Sequence, residues 1–386
     1  MRIVVNGRFS QYKTGVGRVI ENYLVQLARL DTRNEYFIHV NREFAHLRFD
    51  NDRFHVLSNG VPAAASAANH LWTQTGLPRS IRKHRANLLL LPQINLMLVK
   101  LAPTILFQHD LIEYHLNNQR LHKMLFRRFA LPRAINLADR IISVSQSTTA
   151  DIERFFPAAL SRTTTILSGV DLGHLRPLDP VEARETVSRR FPVQGPYILY
   201  VGTLTEPQKN LIRLVEAFAL LRRRGLKLSL LLAGAHGKDS GAIFARAEQL
   251  GLAGDIVAPG YVADEDLSAL YSGCEAFYFA SLHEGFGLPV LEAMACGAAV
   301  VTSTTSSLPE VAGDAALLVD PRSVEAIAGA LHRIVTDSDL RTRLGRKARQ
   351  RAGQFRWESA GRALLEEINR FDPSAPSPAA RSEDRV

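Results

Sequence analysis

The fold of this chain is decided by the stretch His283-Glu284-Gly285-Phe286-Gly287-Leu288-Pro289-Val290-Leu291-Glu292-Ala293-Met294-Ala295-Cys296-Gly297. It follows the apolar run 276–279, a predicted strand, and continues into a predicted helix that begins near Leu288. The two glycines before this helix leave backbone N–H groups open to an anion, and the helix dipole adds about half a positive charge at the same end. This order of strand, glycine loop and helix predicts an anion-binding turn.

Two carboxylates accompany the turn. Glu284 precedes the glycine loop and Glu292 lies inside the predicted helix, so both can face one ligand. Carboxylates beside a phosphate site are unfavourable unless they accept hydrogen bonds from hydroxyl groups, and sugar and ribose hydroxyls are the obvious donors. The alternative is a structural pair, in which a carboxylate at a helix start has a companion eight residues later.

Outside this stretch, short β-branched apolar runs alternate with longer amphipathic stretches, a pattern typical of parallel sheets covered by helices. The predicted strands of the first half are 3–5, 36–40, 54–57, 88–91, 104–107, 141–144 and 164–167. Those of the second half are 197–201, 228–232, 256–257, 276–279, 299–301 and 316–319. Residues 16–30 form a predicted amphipathic helix. The pattern predicts an α/β protein of two doubly wound domains, with ligands bound in the cleft between them.

A charged stretch rich in Pro and Gly, residues 173–195, interrupts this alternation and is the predicted linker. We therefore expect an N-terminal domain over residues 1–178 and a C-terminal domain over residues 192–352. Residues 353–371 are expected to form a last helix. The final stretch, 372–386, is rich in Pro, Ala, Ser and charge and is expected to be a disordered tail.

The composition is that of a soluble globular protein. The chain has 386 residues, of which 46% are hydrophobic and 22% charged, so each domain can bury a full core. Cys274 and Cys296 do not form a CxxC pair, which argues against a disulfide framework or a zinc ribbon and favours a reducing cytosol. We expect neither an export signal nor a membrane span, and therefore a cytoplasmic location.

Basic charge is concentrated in the first half. Residues 1–200 hold 26 Lys and Arg against 15 Asp and Glu, whereas residues 201–386 hold 21 against 23. The excess lies in two clusters, 79–85 and 120–133, and apolar residues interleave with the second cluster at helical spacing. Such a helix can lie on the anionic inner face of the plasma membrane, or it can be a solvated face whose apolar stripe packs on its own core. No nucleic acid partner is expected, because no nucleic-acid-binding motif accompanies the charge.

The sequence resembles a known protein family. The run from Glu284 to Gly297 resembles the donor-site signature of retaining GT-B glycosyltransferases of the large family 4, or group 1, type, which includes bacterial mannosyltransferases. Further matches lie at 15–18 (GVGR), 108–110 (QHD), 166–171 (ILSGVD), 202–210 (GTLTEPQKN), 260–266 (GYVADED) and 307–314 (SLPEVAGD). The segment from Phe355 resembles the helix that crosses back to the first domain in this family. The resemblance covers nearly the whole chain and implies a GT-B fold, with two Rossmann-like domains facing a central cleft.

The resemblance implies roles for residues of the second half. Glu284 would contact the donor hexose and support the developing oxocarbenium ion, and Lys209 would neutralise the departing diphosphate, which makes both candidate catalytic residues. Glu292 would accept hydrogen bonds from the ribose hydroxyls. The other implied donor-binding residues are Thr203, Gly285, Phe286, Gly287 and Leu288.

It also implies roles for residues of the first half. His109, at the end of a predicted strand, would hydrogen-bond the donor sugar and complete the predicted catalytic set. Gly15 and Gly17 permit a tight turn that resembles the loop contacting the diphosphate and the acceptor. Arg8 and Arg18 flank this loop and are the expected partners of an anionic acceptor, such as a lipid pyrophosphate.

The chain departs from the family pattern in one loop. Many relatives have an Arg where Thr203 stands and a second basic residue where Gln208 stands, so Lys209 is left as one cation where two or three are common. Arg18 is the candidate replacement. We expect no metal and no other cofactor. The acidic and His residues at 109–115 and 264–266 allow a metal interpretation, but no second cluster completes a shell, and carboxylates at 264–266 suit a helix start.

The function implied by the resemblance is transfer of a hexose from a nucleotide sugar with retention at the anomeric carbon. We expect GDP-mannose as the donor and a lipid-linked saccharide or lipopolysaccharide as the acceptor, in cell-surface polysaccharide synthesis. A UDP-hexose or dTDP-rhamnose donor is the alternative. Two hypotheses of another class stay open: a catalytically silent GT-B partner subunit and a GT-B-fold sugar-nucleotide epimerase. The linkage position and the oligomeric state do not follow from the sequence.

Overall fold

Two compact units make up the chain in the computed structural model, which describes residues 1–8, 15–58, 60–63, 65–94, 97–115 and 124–372. Unit 1 contains Met1–Gly169 and the segment that begins at Trp357, and unit 2 contains Val170–Arg356. The predicted tail beyond residue 372 and the basic residues Arg120, His122 and Lys123 lie outside the described residues.

Unit 1 is built on a parallel sheet of seven strands. They are β1 (Arg2–Gly7), β2 (Glu35–Val40), β3 (Phe54–Ser58), β4 (Leu88–Leu91), β5 (Thr104–Gln108), β6 (Arg140–Ser143) and β7 (Thr163–Thr165). Their order across the sheet is β3-β2-β1-β4-β5-β6-β7, and every pairing is parallel. The chain therefore reverses its direction of winding between β1 and β4, as in a doubly wound fold.

Helices cover both faces of this sheet. The α-helices of unit 1 are α1 (Gly15–Leu30), α2 (Ser66–His84), α3 (Ile112–His115), α4 (Leu131–Leu137) and α5 (Gln146–Phe155), with a π-helical turn at Phe126–Ala130 and short 3₁₀ helices at Arg42–Phe44 and Pro157–Arg162. The predicted amphipathic helix 16–30 is present as α1, whose buried face contains Val19, Ile20, Tyr23, Leu24 and Leu27. Val4, Leu89 and Leu106 belong to one core cluster with α2 and α4 residues. Because side chains alternate along a strand, the neighbouring positions face α1, where Phe107 packs against Tyr23 with ring centroids 5.1 Å apart.

Unit 2 repeats the architecture with six strands. They are β8 (Tyr197–Val201), β9 (Ser229–Ala233), β10 (Ile256–Gly260), β11 (Ala276–Phe279), β12 (Val300–Ser303) and β13 (Leu317–Val319), in the order β10-β9-β8-β11-β12-β13. All pairings are parallel. The winding reverses between β8 and β11. All thirteen predicted strands are present, with ends that differ by a few residues.

The helices of unit 2 are α6 (Pro180–Arg190), α7 (Leu211–Arg223), α8 (Gly241–Gln249), α9 (Asp264–Gly273), α10 (Leu288–Ala295), α11 (Leu308–Ala312), α12 (Val324–Thr336) and α13 (Ser338–Ala352). The predicted linker, 173–195, contains α6. The Asp179 carboxylate caps this helix by accepting from the backbone N–H groups of Val181 and Glu182. Arg184 ties α6 to Glu275 with a 2.6 Å ion pair, so this stretch belongs to unit 2.

The last helix, α14 (Trp357–Asn369), returns to unit 1, which confirms the predicted crossing back of the C-terminal segment. It packs along α1, where Gly361 lies so close to Gln26 that an added Cβ would be 2.5 Å from the Gln26 Cβ. The Glu367 carboxylate, 5% exposed, accepts from Arg140 at 2.8 Å and from the Thr164 hydroxyl at 3.0 Å. In the described part of the chain, no helix is long and apolar enough to cross a bilayer.

Candidate active site

The two loops at the winding reversal of unit 2 form the candidate site. In doubly wound sheets, ligands bind beyond the carboxyl ends of the strands at this point, because the loops on either side diverge there. The loop after β8 (202–210) and the loop after β11 (280–287) are joined through Gln208, whose carbonyl accepts from the Leu282 N–H at 2.9 Å and whose amide donates to the His283 carbonyl at 3.3 Å. The two stretches singled out in the sequence thus lie together.

Lys209 and Glu284 are brought into direct contact. The Lys209 Nζ lies 2.6 Å from the Glu284 Oε1, and the two side chains are only 17% and 11% exposed. The ammonium also lies 5.2 Å from the centroid of the Phe279 ring, within the range of a cation–π contact. One desolvated cation and one desolvated carboxylate therefore stand side by side at the ends of adjacent strands.

Two serines after β12 hold the Glu284 backbone. The Ser306 hydroxyl accepts from the Glu284 N–H at 3.0 Å, and the Ser307 hydroxyl donates to the carbonyls of Glu284 and Phe286 at 3.0 and 2.8 Å. Ser306 has a φ of 55°, a left-handed conformation that is uncommon for a residue other than glycine. The carboxylate is thus positioned by contacts that span more than twenty residues of sequence.

Gly287 shapes the turn into α10. Its φ of 105° lies in the region that favours glycine, and an added Cβ would meet the Leu308 side chain at 2.7 Å. The Val290 N–H already donates to the Gly287 carbonyl, and Pro289 has no N–H. The predicted anion donors of this turn are therefore the backbone groups of 285–288. The Phe286 side chain itself is buried against Phe355, with ring centroids 6.1 Å apart.

Hydrogen bonds from buried side chains position the loop after β8. The Tyr200 hydroxyl donates to the Thr203 carbonyl at 3.1 Å, and burial, assisted by the nearby Glu284 carboxylate, raises the pKa of this phenol well above its ordinary value. Tyr200 therefore stays protonated as a hydrogen-bond donor. The Glu206 carboxylate accepts from the Leu211 and Ile212 N–H groups and so caps α7. Thr203 is exposed.

Glu292 is buried in α10, and its Oε2 accepts from the Tyr271 hydroxyl at 3.0 Å. At 7% exposure the carboxylate is largely enclosed by protein. Its role toward a ribose stays a prediction. Nothing in the local sequence pattern indicates the Tyr271 contact.

In unit 1, His109 follows β5 and its Nε2 donates to the Pro92 carbonyl at 2.7 Å. A carbonyl only accepts, so Nε2 carries the proton. Burial lowers the pKa of the ring, which leaves Nδ1 as an acceptor in the neutral form. Gly15 and Gly17 lie in the first turn of α1, Arg18 is half-buried on the same helix, and Arg8 follows β1 and is buried.

The two acidic and His stretches considered for a metal have other contacts. His115 binds the Asp151 carboxylate at 2.7 Å, away from the Pro92 contact of His109. Glu265 and Asp266 both pair with Arg190, at 3.0 and 2.5 Å.

Sequence reasoning missed the residues that position the site, namely Tyr200, Ser306 and Ser307. Ser307 opens the SLPEVAGD stretch that was matched without a role. Nothing in the local sequence pattern distinguishes the other two from ordinary strand and loop residues.

The chain contains two doubly wound parallel sheets, one after the other. The second has a paired cation and carboxylate at its winding reversal, and the last helix returns to the unit of the first. This arrangement defines a GT-B fold. Comparison with solved structures agrees. Sucrose-phosphate synthase from Thermosynechococcus elongatus superposes with a TM-score of 0.78 at 20% identity, over 97% of this chain and 99% of that one.

Sequence comparison assigns the family. Residues 182–351 match the family Glycosyl transferases group 1, and residues 14–174 match Glycosyltransferase Family 4. The chain belongs to these glycosyltransferases. It is 34% identical over 248 residues to O-antigen chain mannosyltransferase B of Escherichia coli, which covers 64% of each chain. It is 31% identical over 289 residues to the serotype-specific mannosyltransferase WbdA of Escherichia coli, covering 73% of this chain and 35% of that one. The chain thus spans about two thirds of the first relative and about one third of the second.

Proposed function

We propose that this protein is a retaining hexosyltransferase that transfers mannose from GDP-mannose to a lipid-linked saccharide or lipopolysaccharide acceptor. The observation that carries the proposal is the Lys209–Glu284 pair, at 2.6 Å, beside the glycine turn of unit 2. Transfer from a nucleotide sugar needs a cation for the leaving diphosphate and a negative group for the positive charge that develops on the sugar. Both are present, desolvated and preorganised, which makes them effective at stabilising charge.

In the proposed reaction, Lys209 and the backbone N–H groups of 285–288 hold the diphosphate. The C1–O bond of the hexose breaks, the electron pair leaves with the diphosphate, and the acceptor hydroxyl attacks C1 from the same face. A leaving-group oxygen takes the acceptor proton. Glu284 stabilises the developing oxocarbenium ion without forming a bond to it. Neutral His109 accepts a hydrogen bond from the donor sugar at Nδ1, and unit 1 supplies the acceptor site.

The names of the two relatives support mannose as the transferred sugar and polysaccharide synthesis as the setting. Both are mannosyltransferases, and one acts on an O-antigen chain according to its name. The proposed nucleotide, GDP, rests on the family resemblance. A UDP-hexose or dTDP-rhamnose donor is the second candidate.

Calorimetric titration of the full chain with GDP, UDP and dTDP, without and then with magnesium, tests the donor. We expect metal-independent binding of GDP, and at least tenfold weaker binding to the Lys209→Gln variant. Lys238→Gln is a matched control, because among the described residues the Lys238 ammonium, 44% exposed, pairs with its neighbour Asp239 and the contact of Lys238 with Glu206 is made by its backbone carbonyl. Preferential binding of UDP or dTDP would mean that the donor is a UDP-sugar or a dTDP-sugar instead of GDP-mannose. Absence of all binding would favour the silent-subunit hypothesis.

We further propose that unit 1 docks on an anionic membrane surface. Five large apolar side chains there are 43–60% exposed, namely Leu98, Val99, Met124, Leu125 and Phe129. Arg133 joins the two segments by donating to the Leu98 carbonyl at 3.1 Å. Exposed apolar side chains can insert into a lipid surface, and the arginines that flank them are attracted to its anionic headgroups.

Charge reversal tests this docking. Arg127→Glu with Arg128→Glu should reduce flotation with vesicles that contain anionic lipid. The pair Arg346→Glu and Arg349→Glu, exposed on α13 in unit 2, makes the same charge change elsewhere. Equal flotation of the two double variants would remove the argument for a membrane face on unit 1.

A further inference from the structure

The sheet of unit 1 has its own winding reversal, between β1 and β4, and buried polar groups collect there. One face of this sheet is apolar at its centre, where Val4 and Leu106 lie in the core cluster that includes α2 residues. Two residues further along each strand, on the same face by alternation, stand Asn6 and Gln108. Both are 1% exposed. The face therefore changes from apolar to polar at the carboxyl ends of β1 and β5.

Three of the four polar atoms of these two amide groups have no partner in the described part of the chain, whereas the Gln108 Nε2 donates to the Asp110 carbonyl. Among the described residues, neither the Asn6 Nδ2 nor its Oδ1 has a hydrogen-bond partner, and the same holds for the Gln108 Oε1. Buried polar atoms are rarely left unpaired, because each then loses its hydration without a hydrogen bond in return. Several such atoms at one edge of a sheet therefore indicate a ligand that supplies the missing partners.

Arg8 stands at the same edge and is 4% exposed. Its Nε and Nη2 donate to the Asn69 Oδ1 at 3.0 and 2.6 Å, and the guanidinium stacks on Trp72 at 4.6 Å. The Nη1 has no partner among the described residues. The Gln93 amide binds the Arg8 carbonyl at 3.2 Å, which fixes the loop after β4 against the loop after β1.

Among the described residues, no carboxylate balances the charge of Arg8, which forms no ion pair there. Outside the described residues, the stretches 9–14, 95–96 and 116–123 contain no Asp or Glu, and the C-terminal stretch 373–386 contains Glu383 and Asp384. Burial alone lowers the pKa of the guanidinium, with no opposing carboxylate. An arginine is almost never buried unless it is paired, so the missing counter-ion is the feature to be explained.

We propose that Arg8 and Asn6 bind an oxyanion of the acceptor, a phosphate or diphosphate group, at the winding reversal of unit 1. This proposal rests on the proposed function for the identity of the acceptor and adds the chemical group that unit 1 recognises. The Arg8 Nη1 donates to the oxyanion, and the Asn6 amide hydrogen-bonds it or the sugar hydroxyl next to it. Arg18, the other candidate from the sequence, already has an interaction of its own and is not needed for this site.

The test is binding of inorganic pyrophosphate and of a polyprenyl diphosphate in detergent to the full chain. Lys209→Gln is included in every protein so that the loop of unit 2 does not contribute. Arg8→Met should weaken oxyanion binding at least tenfold. Arg53→Met is the control, because Arg53 is exposed just before β3, at the opposite edge of the same sheet. If only the polyprenyl compound binds in an Arg8-dependent way, the source is the lipid-linked acceptor. If both bind, a free oxyanion suffices.

A second readout separates this role from a structural one. Asn69 keeps a donor when Arg8 is removed, because its Oδ1 also accepts from the Asn41 amide at 3.0 Å. Methionine fills similar space against Trp72 without a desolvated charge. We therefore expect Arg8→Met without ligand to melt at the same temperature or higher. A lower melting temperature with unchanged oxyanion affinity would overturn the proposal.

Two further outcomes are decisive. If Arg8→Met does not fold, Arg8→Lys keeps the charge but loses the planar fork, and its oxyanion affinity should still fall. Unchanged affinity in that variant, or no binding of either compound to the Lys209→Gln protein, would overturn the site. Failure of nucleotide binding with Arg8-dependent oxyanion binding intact would refute the proposed donor function and leave the Arg8 site standing.

Discussion

Replacing Glu284 by Gln should separate donor binding from transfer. In the resting site the Lys209 ammonium is occupied by the Glu284 carboxylate at 2.6 Å. A diphosphate must share this ammonium with the carboxylate and must also approach a like charge. Gln keeps the shape and an accepting oxygen but removes the charge. The variant should therefore bind the nucleoside diphosphate more tightly while it transfers hexose more slowly.

The magnitudes follow from the geometry. At an effective dielectric constant of about 20, the Coulomb attraction across the 2.6 Å contact is about 6 kcal/mol, most of which desolvation offsets. Breaking a buried pair by removing one partner costs about 3–5 kcal/mol. The retained accepting oxygen and the partial exposure of both side chains place the Glu284→Gln cost near 2 kcal/mol of unfolding free energy. If about 1.4 kcal/mol of the pair's attraction is lost on diphosphate binding, affinity should rise about tenfold. Transfer should fall by about 10²–10³ in kcat.

The assay combines calorimetric titration, thermal unfolding and transfer kinetics on one set of variants. Glu216→Gln is the matched control, because Glu216 pairs with Arg246 at 2.9 Å in a more exposed setting between α7 and α8. It should leave affinity and kcat unchanged. Lys209→Gln should weaken diphosphate binding, the opposite of Glu284→Gln. Transfer at the wild-type rate by Glu284→Gln would refute the role of this carboxylate. Equal loss of nucleotide affinity in both variants would show that the pair acts only as a structural unit.

Three further predictions concern stability. Gly287→Ala should cost about 1–3 kcal/mol and lower kcat, because its φ of 105° is strained for alanine at the turn into α10; urea unfolding and transfer kinetics measure both. Gly361→Ala should cost about 1–3 kcal/mol, because its Cβ would lie 2.5 Å from the Gln26 Cβ and would push α14 from α1. Burial lowers the pKa of His39 from 6.5 to about 4, so between these pH values the unfolded chain takes up the proton and the folded chain does not. The free energy of unfolding should therefore fall by at most about 3 kcal/mol as the pH drops through this window. His39→Gln should flatten this part of the pH profile of unfolding.

Each of these has a control in the chain. Gly254→Ala and Gly329→Ala introduce a Cβ with no heavy atom within 4 Å, and in neither is the φ left-handed, so both should be tolerated. Loss of stability equal to that of the Gly287 and Gly361 variants would contradict the steric argument. For His39, Gln preserves the hydrogen bond to the Ser80 hydroxyl at 2.6 Å. An unchanged pH profile in that variant would mean that other groups carry the titration.

The sequence was sufficient to predict the architecture, because the apolar strand runs and the turn residues that indicate it are local features. Strand runs such as Ala276–Phe279 are continuous apolar segments, as expected for strands covered on both faces, and the glycine turn after them marks the start of α10. The prediction of a linker at 173–195 rests on local signals as well. Its prolines indicate a linker, but Pro180 occupies the first position of α6, where proline is well tolerated.

The candidate site was predicted only in part, because its contacts join distant positions. Lys209 and Glu284 each had a role from the family resemblance, but their ion pair joins residues 75 apart and has no signature in either motif. Ser306 reaches Glu284 across 22 residues. Burial is equally invisible locally. Arg8 in the sequence is a basic residue near a glycine loop, and only the packing of Asn69 and Trp72 around it shows a cation without a counter-ion.

The two units use the same topological position for opposite chemistry. At the winding reversal of unit 2, a cation is held against a carboxylate of the same chain, so the resting site is neutral and a diphosphate must compete for it. At the winding reversal of unit 1, Arg8 has no such partner among the described residues and is left with the desolvation cost that burial imposes. Under the proposed function, the neutralised site would hold its diphosphate less tightly, which favours release of the product after transfer. An uncompensated one gains most from its anion, which suits an acceptor that must stay in place while the donor site turns over.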